Sequence, residues 1–161
     1  MNADILMLDE PTGHLDVTNI AWIKNWLKEF MNKGGSIITT SHDSSFLNEM
    51  YDFENHDVLF KPTKASVEQF RPTFKMALSY FLGGDDSFCS EDDGFAMKPW
   101  VDVNFENSGY IIEDSRAIAM GNYFFKDGSD NVVKVEFTFG YKLNHGKLVI
   151  DLHHSSLPFS L

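Results

Sequence analysis

The run NVVKVEFTFGYKL alternates large apolar and polar side chains over most of its length. Val133, Val135, Phe137, Phe139 and Tyr141 share one face, while Lys134, Glu136 and Thr138 share the other. A period of two sustained this long predicts a half-buried antiparallel strand. WVDVNFEN, YIIEDS, RAIAMGNYFFKD and KLVIDLHHSSL are further strand candidates, and KDGSDN and NHG supply turns between the last three. Ahead of them, KPTKASVEQFRPTFKMALSYFLGG predicts a loop and then a helix. Pro72 and Thr73 stand near its start, Phe74, Ala77, Leu78 and Phe81 form its apolar stripe, and Gly83 and Gly84 stop it. One helix against a curved antiparallel sheet is an α+β cone or open barrel. With 161 residues, 43% of them hydrophobic and 15 of them Phe, the chain can fill such a core.

The first 50 residues carry a different pattern. ADILMLDEP is an apolar run ending in two acids, as a buried parallel strand would be. Ile20, Ile23, Trp26, Leu27 and Phe30 follow at helical spacing, with Asp16 or Thr18 as a cap, and SIITTSH is a second buried-type strand. Strand, helix, strand is a single parallel α/β unit, which lacks the helices needed to cover both faces of its sheet.

Composition narrows the function. A net charge of -11 disfavours nucleic acid and anionic membrane as partners. The single cysteine, Cys89, excludes an intrachain disulfide and a four-thiolate metal site. No apolar run reaches the roughly 20 residues of a membrane span. The opening MNADILMLDEP lacks a basic n-region before an apolar stretch and is expected to be neither a secretory signal nor a transit peptide. The acidic stretch DDSFCSEDD lacks the spacing of an EF-hand and is expected to be a solvated loop.

LMLDEPTGHLD followed by TTSHD resembles the second half of an ABC-type ATPase domain, closest to translation elongation factor three. ILMLDE matches the Walker B strand, GHLD the D-loop and SHD the switch histidine. The resemblance implies magnesium binding at Asp9, polarisation of the attacking water by Glu10 and a γ-phosphate contact from His42. GxxxxGK[ST] and an LSGGQ-like signature are both missing from the chain, so no backbone cradle holds the phosphates. Asp9, Glu10 and His42 are therefore expected to be vestiges of an ATPase motif.

In KLVIDLHHSSL, strict alternation puts Leu148, Ile150, Leu152, His154 and Ser156 on one face, and Val149, Asp151, His153 and Ser155 on the other. With the leucines inward, His154 and Ser156 would be the polar groups at the end of an apolar pocket. VLFKPTKASVEQFRPT, ALSYFLGG, RAIAMGNYFF, VKVEFTFGYK and DLHHSS together resemble the iota-class carbonic anhydrases over about residues 57–161. Their fold is like the association domain of calmodulin-dependent kinase II and the cone of nuclear transport factor two and SnoaL. The fold expected is thus a SnoaL-like α+β cone of curved antiparallel sheet with a packed helix, over 57–161, preceded by a truncated α/β fragment over 1–50.

The resemblance implies reversible hydration of carbon dioxide to bicarbonate. It implies a Thr, a Tyr, a His and a Ser in the site, matched here by Thr63, Tyr80, His154 and Ser156, with His153 and Ser155 as alternatives. No metal is expected, because neighbouring strand histidines point to opposite faces and no HxH occurs; zinc or manganese is the rival mechanism. The partners expected are carbon dioxide or bicarbonate and a second copy of the chain in a homodimer. Arg71 and Arg116 are candidates for pairing with an anion. Two other readings stand beside this one: a non-catalytic cone that dimerises or binds a small ligand, and an ABC-family accessory fragment without ATPase activity. Iota-type domains begin with helices ahead of VLFKPT, a stretch that differs here. Residues 18–31 or SSFLNEMYDF are the candidates to fill that groove.

Overall fold

The computed structural model describes residues 5–9, 22, 25–27, 29, 36–40, 44–84 and 87–160. Two compact units divide the chain, Met1–Phe46 and Leu47–Leu161. In the first, β1 (Ile5–Asp9) pairs in parallel with β2 (Ser36–Thr40), from Ile5 opposite Ser36 to Asp9 opposite Thr40. Helical backbone occurs between them at Trp22, at residues 25–27 and at Glu29. Glu10 and His42 lie outside the described residues.

The second unit is built on a five-stranded sheet. Its strands are β3 (Leu59–Lys61), β4 (Trp100–Ile112), β5 (Arg116–Asp127), β6 (Val132–Asn144) and β7 (Lys147–Ser156), in the order β3-β7-β6-β5-β4. β4 to β7 pair antiparallel, as the alternation and turn signals imply. WVDVNFEN and the YII of YIIEDS, read as parts of separate strands, belong to the single long β4, which ends at Ile112. NHG forms a two-residue hairpin loop in which His145 and Gly146 have φ of 49° and 79°, the double left-handed turn that matches strand twist. The strand not foreseen from sequence is β3. It joins the sheet parallel to β7, and at three residues it is too short to show a period.

Helix α1 (Ser44–Tyr51) and helix α2 (Phe74–Leu82) complete the described architecture, with a 3-10 turn at Phe95–Met97. Thr73 caps α2 by accepting the Met76 N–H at 3.4 Å, and Gly83 ends it at φ 59°. Tyr51, Val58, Phe60, Ala77, Tyr80 and Ile150 form one buried cluster, with Leu47, Met50 and Phe53 packed against it. SSFLNEMYDF thus supplies the helix that covers this part of the sheet. A second cluster joins Tyr123, Val135 and Phe137. Among the described residues, no helix is long and apolar enough to cross a membrane.

The acidic stretch after α2 is not simply a solvated loop. Asp92 is buried and takes both Nη atoms of the fully buried Arg71, at 3.0 and 2.9 Å, plus the Ser79 hydroxyl at 2.6 Å. Glu91 accepts the backbone N–H groups of Ser66, Val67 and Glu68 at 2.7, 3.0 and 2.7 Å. These bonds hold the Glu91 carboxyl down at about 2. Arg71 thus clamps two loops together through its Nη atoms, while its buried Nε has no partner among the described residues.

Three register shifts interrupt the sheet: one in β4 between Trp100 and Asp102, and two that each face a glycine. Asp151 is an extra residue on β7, since Tyr141 pairs with Ile150 and Gly140 with Leu152. The other glycine-facing shift falls in β4 between Asn107 and Gly109, opposite Gly121. At both places a glycine faces the extra residue. A Cβ on Gly140 would lie 2.8 Å from Asp151 Oδ1 and from Leu152 Cβ. Arg116, itself exposed, grips the buried Asp151 carboxylate with both Nη atoms, one of them at 3.2 Å.

Candidate active site

The bulge at Asp151 decides which side chains of HHSS enter the cone. Ile150 belongs to the core cluster, and one additional residue then shifts the alternation. His153 and Ser155 become the inward pair, 7% and 2% exposed. They stand opposite Phe139 and Phe137 on β6. His154 is exposed, and Ser156 reaches Glu136 at 3.2 Å on the outer side. The sequence expectation of His154 and Ser156 inside is therefore corrected, and the reason is the broken parity. Leu148, expected inside, is exposed as well.

His153 sits in a socket of rings. Its centroid is 4.7 Å from Phe60 on β3, 4.4 Å from Phe139 on β6 and 6.0 Å from Tyr51 on α1. Both ring nitrogens are engaged. Nδ1 is 2.7 Å from the Tyr51 hydroxyl, and Nε2 is 2.9 Å from Ser155 Oγ. The Tyr123 hydroxyl donates to Ser155 Oγ at 3.0 Å and stands 3.4 Å from Nε2. Burial pushes the imidazole down to about 3, and the adjacent His154 acts the same way. Burial also raises the phenols of Tyr51 and Tyr123, so both stay protonated donors at neutral pH.

Tyr80 on α2 shares this aromatic cluster through Phe60, 5.9 Å away edge-on. Burial pushes its phenol up to about 12, opposed by Thr63 and by the backbone of Thr63 and Lys64 beside it. The Tyr80 hydroxyl nevertheless closes no hydrogen bond of ordinary length, so a buried polar group is left open. Thr63, half-buried in the loop after β3, is thus brought to Tyr80, while His154 and Ser156 are not brought to either. Tyr51 was given no role from the sequence. Its helical spacing with Leu47 and Met50 was the available sign that it faces the core. Tyr123, which the sequence places in the strand RAIAMGNYFFKD, also belongs to the polar chain through its hydroxyl. Among the described residues, no group of three or more His, Cys, Asp or Glu is placed to hold a metal ion.

A family of metal-independent carbonic anhydrases matches residues 22–157 of this chain. A metal-independent carbonic anhydrase of Nostoc sp. is 41% identical over 115 residues, which is 70% of this chain and 56% of that protein. The chain thus spans little more than half the length of that relative. The crystal structure of an iota-carbonic anhydrase from a cyanobacterium, complexed with bicarbonate, is 38% identical and superposes with a TM-score of 0.68 over 73% of each chain. A calmodulin-dependent kinase II association domain from Xanthomonas campestris, 18% identical with a TM-score of 0.52 over 94% of each chain, shares the fold. Elongation factor 3 of Candida albicans is 41% identical over 98 residues, which is 58% of this chain and 9% of that protein.

Proposed function

Because the chain belongs to the metal-independent carbonic anhydrase family, we propose that its cone interconverts carbon dioxide and bicarbonate. The observation that carries this reading is the buried His153–Ser155 pair, engaged by two tyrosines inside an aromatic socket. Carbon dioxide is apolar and suits the ring faces of Phe60 and Phe139. The open Tyr80 hydroxyl, with Thr63 beside it, is suited to hold the attacking water or a carbonate oxygen. As the new carbon–oxygen bond forms, one C=O electron pair moves onto oxygen and the water O–H bond breaks. A base held near 3 does not store that proton at neutral pH. The proton instead passes through the hydroxyls of the site to solvent buffer. Thr63, Tyr80, His153 and Ser155 are the residues assigned to this chemistry, and His154 and Ser156 are not.

A non-catalytic cone is the second reading, favoured by the fact that both ring nitrogens of His153 are already engaged within the chain. Carbon dioxide hydration by the purified chain, followed by stopped flow with excess chelator, separates the two readings. The anhydrase reading expects a rate above buffer that His153→Ala abolishes and His154→Ala leaves largely intact. A folded, soluble chain with no rate above buffer would sink it.

A further inference from the structure

Tyr51, His153, Ser155 and Tyr123 form a chain of three hydrogen bonds. With His153 neutral, each of the four carries one donatable proton, so four protons serve three links. One proton has no partner within the chain. Its position decides what the site offers to a ligand.

Placing it on Tyr51 requires Nδ1–H to donate to the phenol oxygen. The phenol proton would then face Phe53, Phe60 and Phe81, whose centroids lie 5.9 to 6.1 Å from the Tyr51 ring. Among the described residues, Tyr51 has no second hydrogen-bond partner that could receive it. Placing it on Tyr123 strands a proton among Phe105, Phe125 and Phe137 in the same way. A phenol is more acidic than an aliphatic hydroxyl and is the better donor of the two. The 2.7 Å Tyr51–His153 separation suits a strong O–H···N bond.

We propose that Tyr51 donates to Nδ1 and fixes His153 as the Nε2–H tautomer, that Nε2–H and Tyr123 both donate to Ser155 Oγ, and that the Ser155 proton is thereby presented to an anionic ligand in the cone. Both lone pairs of Ser155 Oγ are then occupied. Ser155 is a donor to the ligand, and His153 does not act as a base upon it. Tyr51 and Tyr123 are positioning residues that act through His153 and Ser155. The open Tyr80 phenol is a second donor in the same aromatic cluster. Two hydroxyl donors suit a small planar monoanion. The identity of that anion, bicarbonate, rests on the anhydrase reading.

Nitrogen-15 NMR of the full chain labelled at histidine reads the tautomer directly, with His153→Gln assigning the signals. The expected wild-type spectrum shows a neutral ring protonated at Nε2. Tyr51→Phe should release the ring to the Nδ1–H form, which turns the Ser155 proton back onto Nε2. Bicarbonate binding, titrated in parallel, should weaken about tenfold in Ser155→Ala and severalfold in Tyr51→Phe. A wild-type ring protonated at Nδ1 would overturn the proposal, whether or not Tyr51→Phe folds. So would bicarbonate binding unchanged in Ser155→Ala. A chain with the Nε2–H ring that binds bicarbonate through Ser155 but does not hydrate carbon dioxide would support this proposal and sink the anhydrase reading.

Discussion

His153 is the residue whose burial reaches furthest into behaviour. An exposed imidazole titrates near 6.5, while here the folded protein holds it down at about 3. Between those values the unfolded chain binds a proton that the folded chain refuses, so stability is full above about 6.5 and falls as pH drops toward 3. The slope contributed by one such group is about 1.4 kcal/mol per pH unit within that window. Below about 4.5 the Glu91 carboxyl, held down by the N–H groups of Ser66 to Glu68, adds a loss of the same sign. Urea midpoints at pH 7.5 and 5.0 should therefore differ clearly in the wild type and much less in His153→Gln; equal differences in both would show that His153 is not the acid-sensitive group. The types of the residues proposed for the site come from HHSS, KPT and LSYF. The choice between His153 and His154 was not legible there, because alternation counts residues and a bulge adds one that the count does not see.

Among the elements, β7 owes its shape to three residues outside the His153–Ser155 pair. Asp151 is the extra residue, Arg116 holds its carboxylate, and Gly140 leaves room for both. Gly140→Val should cost about 1–3 kcal/mol through overpacking against Asp151 and Leu152. Arg116→Ala should cost a similar amount, because it leaves the Asp151 carboxylate, 8% exposed, without its cation. Arg116→Lys should recover part of that, since a point charge replaces the fork. Urea unfolding checks all three, and full stability in Arg116→Ala would mean that the bulge does not depend on the pair. The helix at Phe74–Leu82, the NHG turn and the long β6 were all readable because each carries its own local signal. The parallel β3 and the bulges were not, because each exists only through a neighbouring strand.

At the scale of the whole molecule, the cone unit starts within the segment that the sequence joins to an ATPase-like text. Leu47, Met50 and Tyr51 pack there as part of the cone's own core. The far end of β4 is unfinished by comparison: Tyr110, Ile111 and Ile112 are 64–72% exposed on an edge strand. An apolar edge of that kind suits a homodimer. Sedimentation should find a dimer that Ile111→Asp dissociates; a monomer at all concentrations would remove the homodimer from the account. The bulge has one more consequence, for robustness. HHSS is a doubled word: each residue that enters the cone is followed by its own twin. If β7 lost its extra residue, Leu152, His154 and Ser156 would turn inward, and the cone would still receive an imidazole and a hydroxyl in the same order. A strand written this way has a spare copy of its chemistry one step along, so an error of register would move the site without erasing it.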